Sequence, residues 1–79
     1  MKVTIYGRST GCKFCDAAKL VCESNKIDFE FNEVTADNRS EIEGVIGTPF
    51  RTVPQIVVNG ELVGGYTEFR DGLVSGKFQ

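Results

Sequence analysis

The spacing of apolar positions divides this chain into short alternating elements. Lys2-Val3-Thr4-Ile5-Tyr6 is β-branched and aromatic, stops at Gly7, and predicts a strand. Arg8 to Gly11 forms a small polar loop. From about Lys13 to Asn25, Phe14, Ala17, Ala18, Val21 and Cys22 recur at i, i+3, i+4, i+7 and i+8, the stripe of an amphipathic helix. Ser24 and Asn25 form helices poorly and predict a frayed end. Asp28 to Val34 alternates, with Phe29 and Phe31 on one face and Glu30 and Asn32 on the other, as in a half-buried strand near a sheet edge. Asn38 and Glu41 predict a capping-box start for a short helix, whose apolar face is Ile42, Val45 and Ile46 and which Gly47 stops. Thr48 to Val53 reads as a connector that Pro49 keeps out of a helix. Pro54 to Val58 predicts a strand, Asn59-Gly60 a two-residue turn, and Glu61 to Val63 the return strand. Gly64-Gly65 is expected to break the ladder, and Thr67 to cap a last helix carrying Phe69 and Leu73. Gly72 and Gly76 should weaken that helix by about 1 kcal/mol each relative to alanine.

This order is βαβ, then helix, hairpin and helix, which is a compact α/β sandwich. The first two strands should run parallel through a right-handed crossover, and the hairpin makes the sheet mixed. No repeat, linker or low-complexity tract interrupts the 79 residues, which predict one domain spanning 1–79.

Composition narrows the function more than the fold. The chain carries 9 Lys and Arg against 11 Asp and Glu, so it has no global basic footprint for nucleic acid. No apolar run approaches the ~20 residues of a membrane span. With no visible signal peptide, the expected location is the cytoplasm. Histidine is absent, which removes the base of a Cys-His hydrolase and the usual mixed Cys/His zinc sites. Three cysteines in such a chain point to reactive or ligand thiols rather than a disulfide framework.

Two of those thiols form Cys12-Lys13-Phe14-Cys15 at the mouth of the first predicted helix. Metal sites use the same spacing, but a closed site needs further protein ligands, and only Cys22 remains, on the same helix face. No metal is therefore expected. A C-x-x-C beside a βαβ pattern reads as a thioredoxin-like redox motif. The attacking species is the thiolate, and a free cysteine with pKa near 8.5 is only ~3% ionised at pH 7. At a helix N-terminus, unpaired N–H groups and the helix dipole favour an anion, and Lys13 adds a cation. Cys12 is thus expected to be the nucleophile, titrating below about 7, and Cys15, deeper in the helix, the buried resolving thiol. Cys22 lies on the apolar stripe and is expected to be a small core residue.

The chain resembles the glutaredoxins along almost its whole length. Ile5-Tyr6-Gly7-Arg8-Ser9 before Cys12 and Cys15, then Ala18-Lys19, is similar to that family's first strand and active-site helix. Thr52-Val53-Pro54-Gln55-Ile56 resembles its Thr-Val-Pro segment, and Gly64-Gly65-Tyr66-Thr67-Glu68-Phe69 its Gly-Gly turn and helix start. The resemblance is strongest to dithiol glutaredoxins of bacterial type. It implies a thioredoxin-like fold, a four-stranded mixed sheet flanked by three helices, and glutathione-dependent reduction of protein disulfides and glutathione mixed disulfides. It implies a cis Val53-Pro54 bond presenting Val53's backbone to the cysteine moiety of glutathione. It also implies that the N–H groups of Thr67 and Glu68 hold the γ-glutamyl carboxylate, with Phe14, Thr52 and Tyr66 walling the groove. Arg8 or Lys19 would meet the glycine carboxylate or bias Cys12 toward thiolate. Arg8, Lys19 and Arg51 read equally well as solvated surface charges.

The implied protein is a monomer acting on disulfide-bearing or glutathionylated proteins. Ribonucleotide reductase is a partner that the family suggests and that no residue here selects. Lys13 stands where the family usually has proline, and Phe14 where it has tyrosine. Two alternatives follow: a redoxin reduced by thioredoxin reductase, and a dimer holding an iron-sulfur cluster through Cys12 and glutathione.

Overall fold

A computed structural model describes residues 1–78. Its elements are β1 (Val3–Gly7), α1 (Lys13–Ser24), β2 (Phe29–Glu33), α2 (Arg39–Ile46), β3 (Gln55–Val58), β4 (Glu61–Gly64) and α3 (Tyr66–Val74). The sheet order is β2-β1-β3-β4, with β1 parallel to β2 and antiparallel to β3. β3 and β4 pair antiparallel. The alternating strand at Phe29–Glu33 therefore lies at a sheet edge, where its polar face meets solvent.

Strand alternation sends β1 and β3 side chains to two unlike layers. Val3, Ile5, Ile56 and Val58 face one side and bury against Ala18 and Cys22 of α1 and Phe69 of α3. The other side is thinner: Val34, Ile42 and Phe50 form its buried cluster, with Tyr6, Ile46 and Val53 against them.

Several local expectations are corrected. The end of α1 is closed rather than frayed. The Asn25 side chain donates to the Val21 carbonyl at 2.8 Å, and the Ile27 N–H donates to the Cys22 carbonyl at 2.9 Å. Asn38 occupies the N-cap of α2 as expected, but its side chain makes no capping bond there. Its amide is already used, accepting from the Thr35 N–H at 2.8 Å and donating to the Glu33 carbonyl at 2.7 Å. The β3–β4 ladder reaches Gly64, opposite Ile56, because an irregularity between Ile56 and Val57 absorbs a register shift. Thr67 is not the cap of α3. The helix begins two residues earlier than such a cap requires, at Tyr66 with Gly65 as N-cap, and the Glu68 carboxylate accepts from the Gly65 N–H at 2.8 Å. Gly72, expected only to weaken α3, is buried because the Phe78 ring lies where a side chain would project. Phe78 in turn stacks on Phe69 with ring centroids 6.1 Å apart.

Two turns behave as their residues predict. Gly47 ends α2 at φ 82°. Asn59 and Gly60 both take positive φ, 53° and 85°, which suits the twist of a two-residue hairpin. The Asn59 side chain also accepts from the Lys2 N–H at 2.9 Å, tying this turn to the start of β1.

Candidate active site

Cys12 is the N-cap of α1, with extended backbone angles of φ −127° and ψ 96°. Its sulfur takes the place that a serine or aspartate oxygen fills at other helix starts, accepting the Cys15 N–H at 3.2 Å. A negative charge on this sulfur would be stabilised by that N–H and by the helix dipole. Cys15 faces inward and is fully buried, while Cys12 is half-buried. The two are joined as a disulfide with Cα atoms 5.2 Å apart. The half-buried Cys12 sulfur is open to a substrate, and the fully buried Cys15 sulfur is not. Cys22 is the free cysteine and is buried in the main core; burial, with a smaller contribution from Glu23, pushes its thiol up to about 11. It is a core residue.

Two grooves meet at Thr52 and Val53. The narrower, about 190 Å³, is lined by Phe14, Pro54, Gly65, Tyr66, Thr67 and Glu68 along with those two. The wider, about 540 Å³, runs over Cys12 and includes Arg8, Lys13, Arg39 and Arg51. The Val53–Pro54 bond is cis, and the Val53 carbonyl oxygen lies 3.9 Å from the Cys12 sulfur. Phe14 is about half exposed and stacks on Tyr66, with centroids 5.9 Å apart and planes 25° apart. Thr67 and Glu68 are the second and third residues of α3, whose N-cap glycine has no side chain to occupy their N–H groups.

The cations near the dithiol have separate engagements. The Lys13 ammonium lies 5.6 Å from the Phe14 ring centre. Lys19 lines neither groove: it sits 4.5 Å over the Phe31 ring and 3.7 Å from the Asp16 carboxylate. Arg8 lines the wide groove, and its backbone N–H donates to the Cys15 sulfur at 3.4 Å.

Residue-level reading of the sequence passed over the support beneath Thr52-Val53-Pro54. The Arg39 guanidinium lies 4.5 Å from the Phe50 ring centre and donates to the Phe50 carbonyl. Glu43 accepts the Phe50 N–H at 3.2 Å and pairs with Arg39 at 3.6 Å. This clamp pins the connector two residues before Thr52. Only the i, i+4 spacing of Arg39 and Glu43 was visible in sequence, and such pairs are common on solvated helices.

Comparison with known proteins agrees with this geometry. The glutaredoxin family profile matches residues 3–63, and the chain belongs to the glutaredoxin family. It is 37% identical over 76 residues to glutaredoxin 1 of Escherichia coli K12, covering 87% of this chain and 88% of that one. It is 34% identical over 76 residues to the Vibrio cholerae glutaredoxin, covering 87% and 86%. Among solved structures, Francisella tularensis glutaredoxin 1 complexed with cacodylate superimposes with a TM-score of 0.78 at 33% identity, covering 99% of this chain and 98% of that one. The buckwheat glutaredoxin–glutathione complex shares the fold, with a TM-score of 0.77 at 20% identity over 96% of this chain and 71% of that one. The protein is thus a thiol-disulfide oxidoreductase of thioredoxin-like fold, with Cys12 and Cys15 as its redox pair.

Proposed function

We propose that this glutaredoxin takes its electrons from glutathione and reduces protein disulfides and glutathionylated proteins. The observation that carries the reading is the placement of Val53's carbonyl 3.9 Å from the Cys12 sulfur, beside a groove running to the start of α3. A cysteinyl residue bonded to Cys12 can pair its backbone with Val53, as an added strand would. From there a γ-glutamyl carboxylate reaches the first-turn N–H groups of Thr67 and Glu68, where the helix dipole favours an anion. Phe14 and Tyr66 wall this path, and Arg8 borders the neighbouring groove.

In the reaction, Cys12 thiolate attacks one sulfur of the substrate disulfide, and the other sulfur leaves with the bonding pair and takes up a proton. Cys15 then attacks Cys12, expelling the bound thiol and closing the internal disulfide. Two glutathione thiols reopen it, giving the dithiol and glutathione disulfide. When the bound thiol is glutathione itself, a second glutathione attacks it directly and Cys15 is not needed. A monomer in the cytoplasm, where the glutathione pool is reduced, suits this cycle. Ribonucleotide reductase is one disulfide-bearing protein to which the reading extends.

The test is a coupled assay on a glutathione mixed disulfide with either of two electron sources. Turnover is expected with glutathione and glutathione reductase, and little with thioredoxin reductase. Turnover with thioredoxin reductase alone would overturn the glutathione reading while leaving the oxidoreductase intact.

A further inference from the structure

We propose that Gly7 is a positioning residue for Cys15, its missing side chain allowing the resolving sulfur to reach the backbone N–H of Arg8. Gly7 ends β1 and does not adopt positive φ, so its backbone does not require glycine. A glycine in a strand costs about 0.5–1 kcal/mol relative to alanine, so its presence here needs another cause. A Cβ built on Gly7 stands 2.7 Å from the Cys15 sulfur, and 3.4 Å from both the Cys15 Cβ and a Phe31 ring carbon. Ordinary carbon contacts lie at about 3.5–4.0 Å.

The wall is tied into the sheet. Gly7 sits opposite Glu33 in the parallel ladder, and its carbonyl accepts the Val34 N–H at 2.8 Å. Phe31 is held from outside by Lys19, 4.5 Å from its ring centre. A methyl group at residue 7 therefore displaces the sulfur, and the sulfur is what the next residue's N–H contacts, at 3.4 Å.

That contact has a chemical use. Complete burial holds a thiol protonated, whereas a donor aimed at its sulfur favours the thiolate. In resolution Cys15 attacks Cys12 as its proton passes to the departing substrate sulfur. The Cys12–Cys15 bond forms, the bond from Cys12 to the substrate breaks, and the substrate sulfur leaves with the electron pair and gains a proton. In the reverse direction Cys15 is the leaving group. Both directions pass through an anionic Cys15 sulfur, and the Arg8 N–H is the donor beside it. The proposal rests on Cys15 as the resolving thiol.

Two measurements on reduced protein test it, neither containing glutathione. The first is a single turnover with a peptide disulfide, alkylated at intervals and read by mass spectrometry. In Gly7→Ala, closure of the Cys12–Cys15 bond should slow at least tenfold, while formation of the peptide–Cys12 mixed disulfide slows less than threefold. The second is urea unfolding in two backgrounds. Gly7→Ala should lower the midpoint when Cys15 is present. It should lower it much less, or raise it, in Cys15→Ala, where the sulfur is gone and only the 3.4 Å approaches to the residue 15 Cβ and the Phe31 ring oppose the strand preference. Equal slowing of both chemical steps would overturn the proposal, as would the same stability change in both backgrounds. If Gly7→Ala fails to fold, recovery of folding in the double variant supports the clash and its absence refutes it. Loss of glutathione turnover leaves both readouts standing, so the two readings fail separately.

Discussion

The two faces of the sheet are built on different principles. On the α1 and α3 side, Phe69, Ile5, Ile56, Ala18 and Cys22 are fully buried, and the layer is held by apolar packing. On the α2 side the buried cluster is Val34, Ile42 and Phe50, while Val45 remains 65% exposed. To this smaller apolar cluster the second layer adds polar contacts, with Arg39 and Glu43 gripping the backbone of Phe50. The contrast separates a packed layer from one that leaves grooves open beside the dithiol. The dense face fixes α1, and with it Cys12 and Cys15. The sparse face carries the connector that ends in Thr52, Val53 and Pro54. The dithiol lies on the seam, with the Cys12 sulfur from one layer 3.9 Å from a carbonyl of the other.

The sharpest test of that seam is at its two sulfurs. Cys12→Ser should abolish turnover, a loss of at least about a thousandfold, because a hydroxyl is not ionised at neutral pH. Cys15→Ser should keep most of its activity on glutathione mixed disulfides and lose it on protein disulfides. Steady-state assays with both substrates check this, and a live Cys12→Ser beside a dead Cys15→Ser would reverse the assignment.

A second pair of variants separates the faces. Phe69→Ala removes a fully buried ring from the dense layer and should cost about 3–5 kcal/mol of stability by urea denaturation. Phe50→Ala, in the thinner layer, should cost less, about 1–3 kcal/mol. It should raise the KM for glutathione several-fold, since Phe50 holds the approach to Thr52. If the two cost the same and KM does not move, the layers do not divide the work as described.

The smallest effect belongs to Cys22 and appears only at alkaline pH. Its folded pKa, about 11, lies above the ordinary 9.0 because burial disfavours the thiolate. Below pH 9 the thiol is neutral in both states, and its contribution is fully present. As pH rises from about 9 towards 11, the unfolded chain binds fewer protons than the folded one, so stability falls. Cys22→Ala should flatten that decline relative to the parent, measured as the difference between the two urea midpoints across this range. An unchanged slope would place Cys22 in a wetter site than its burial indicates.

Element types were readable because apolar spacing reports which side of a segment is buried. The stripe through Ala18 and Cys22 and the alternation around Phe29 and Phe31 reflect local backbone geometry, while Phe14, at the stripe's start, lines the groove instead of the core. The two cysteines at the helix mouth, with no histidine anywhere and a βαβ pattern around them, pointed to redox chemistry. Helix starts were less legible. Asn38 does stand at the N-cap of α2 but spends its side chain on its loop, and Thr67 gives way as cap to Gly65 and Glu68.

What the chain determines by itself is thus local: where helices and strands form, and that a dithiol opens the first helix. Tertiary structure decided the rest. It set the order β2-β1-β3-β4, brought Val53 beside Cys12 across 41 positions of sequence, and gave Gly72 to the Phe78 ring. It also laid Gly7 against the Cys15 sulfur. Such meetings depend on which faces bury together and in what register, a sum over distant contacts that no short window of sequence contains.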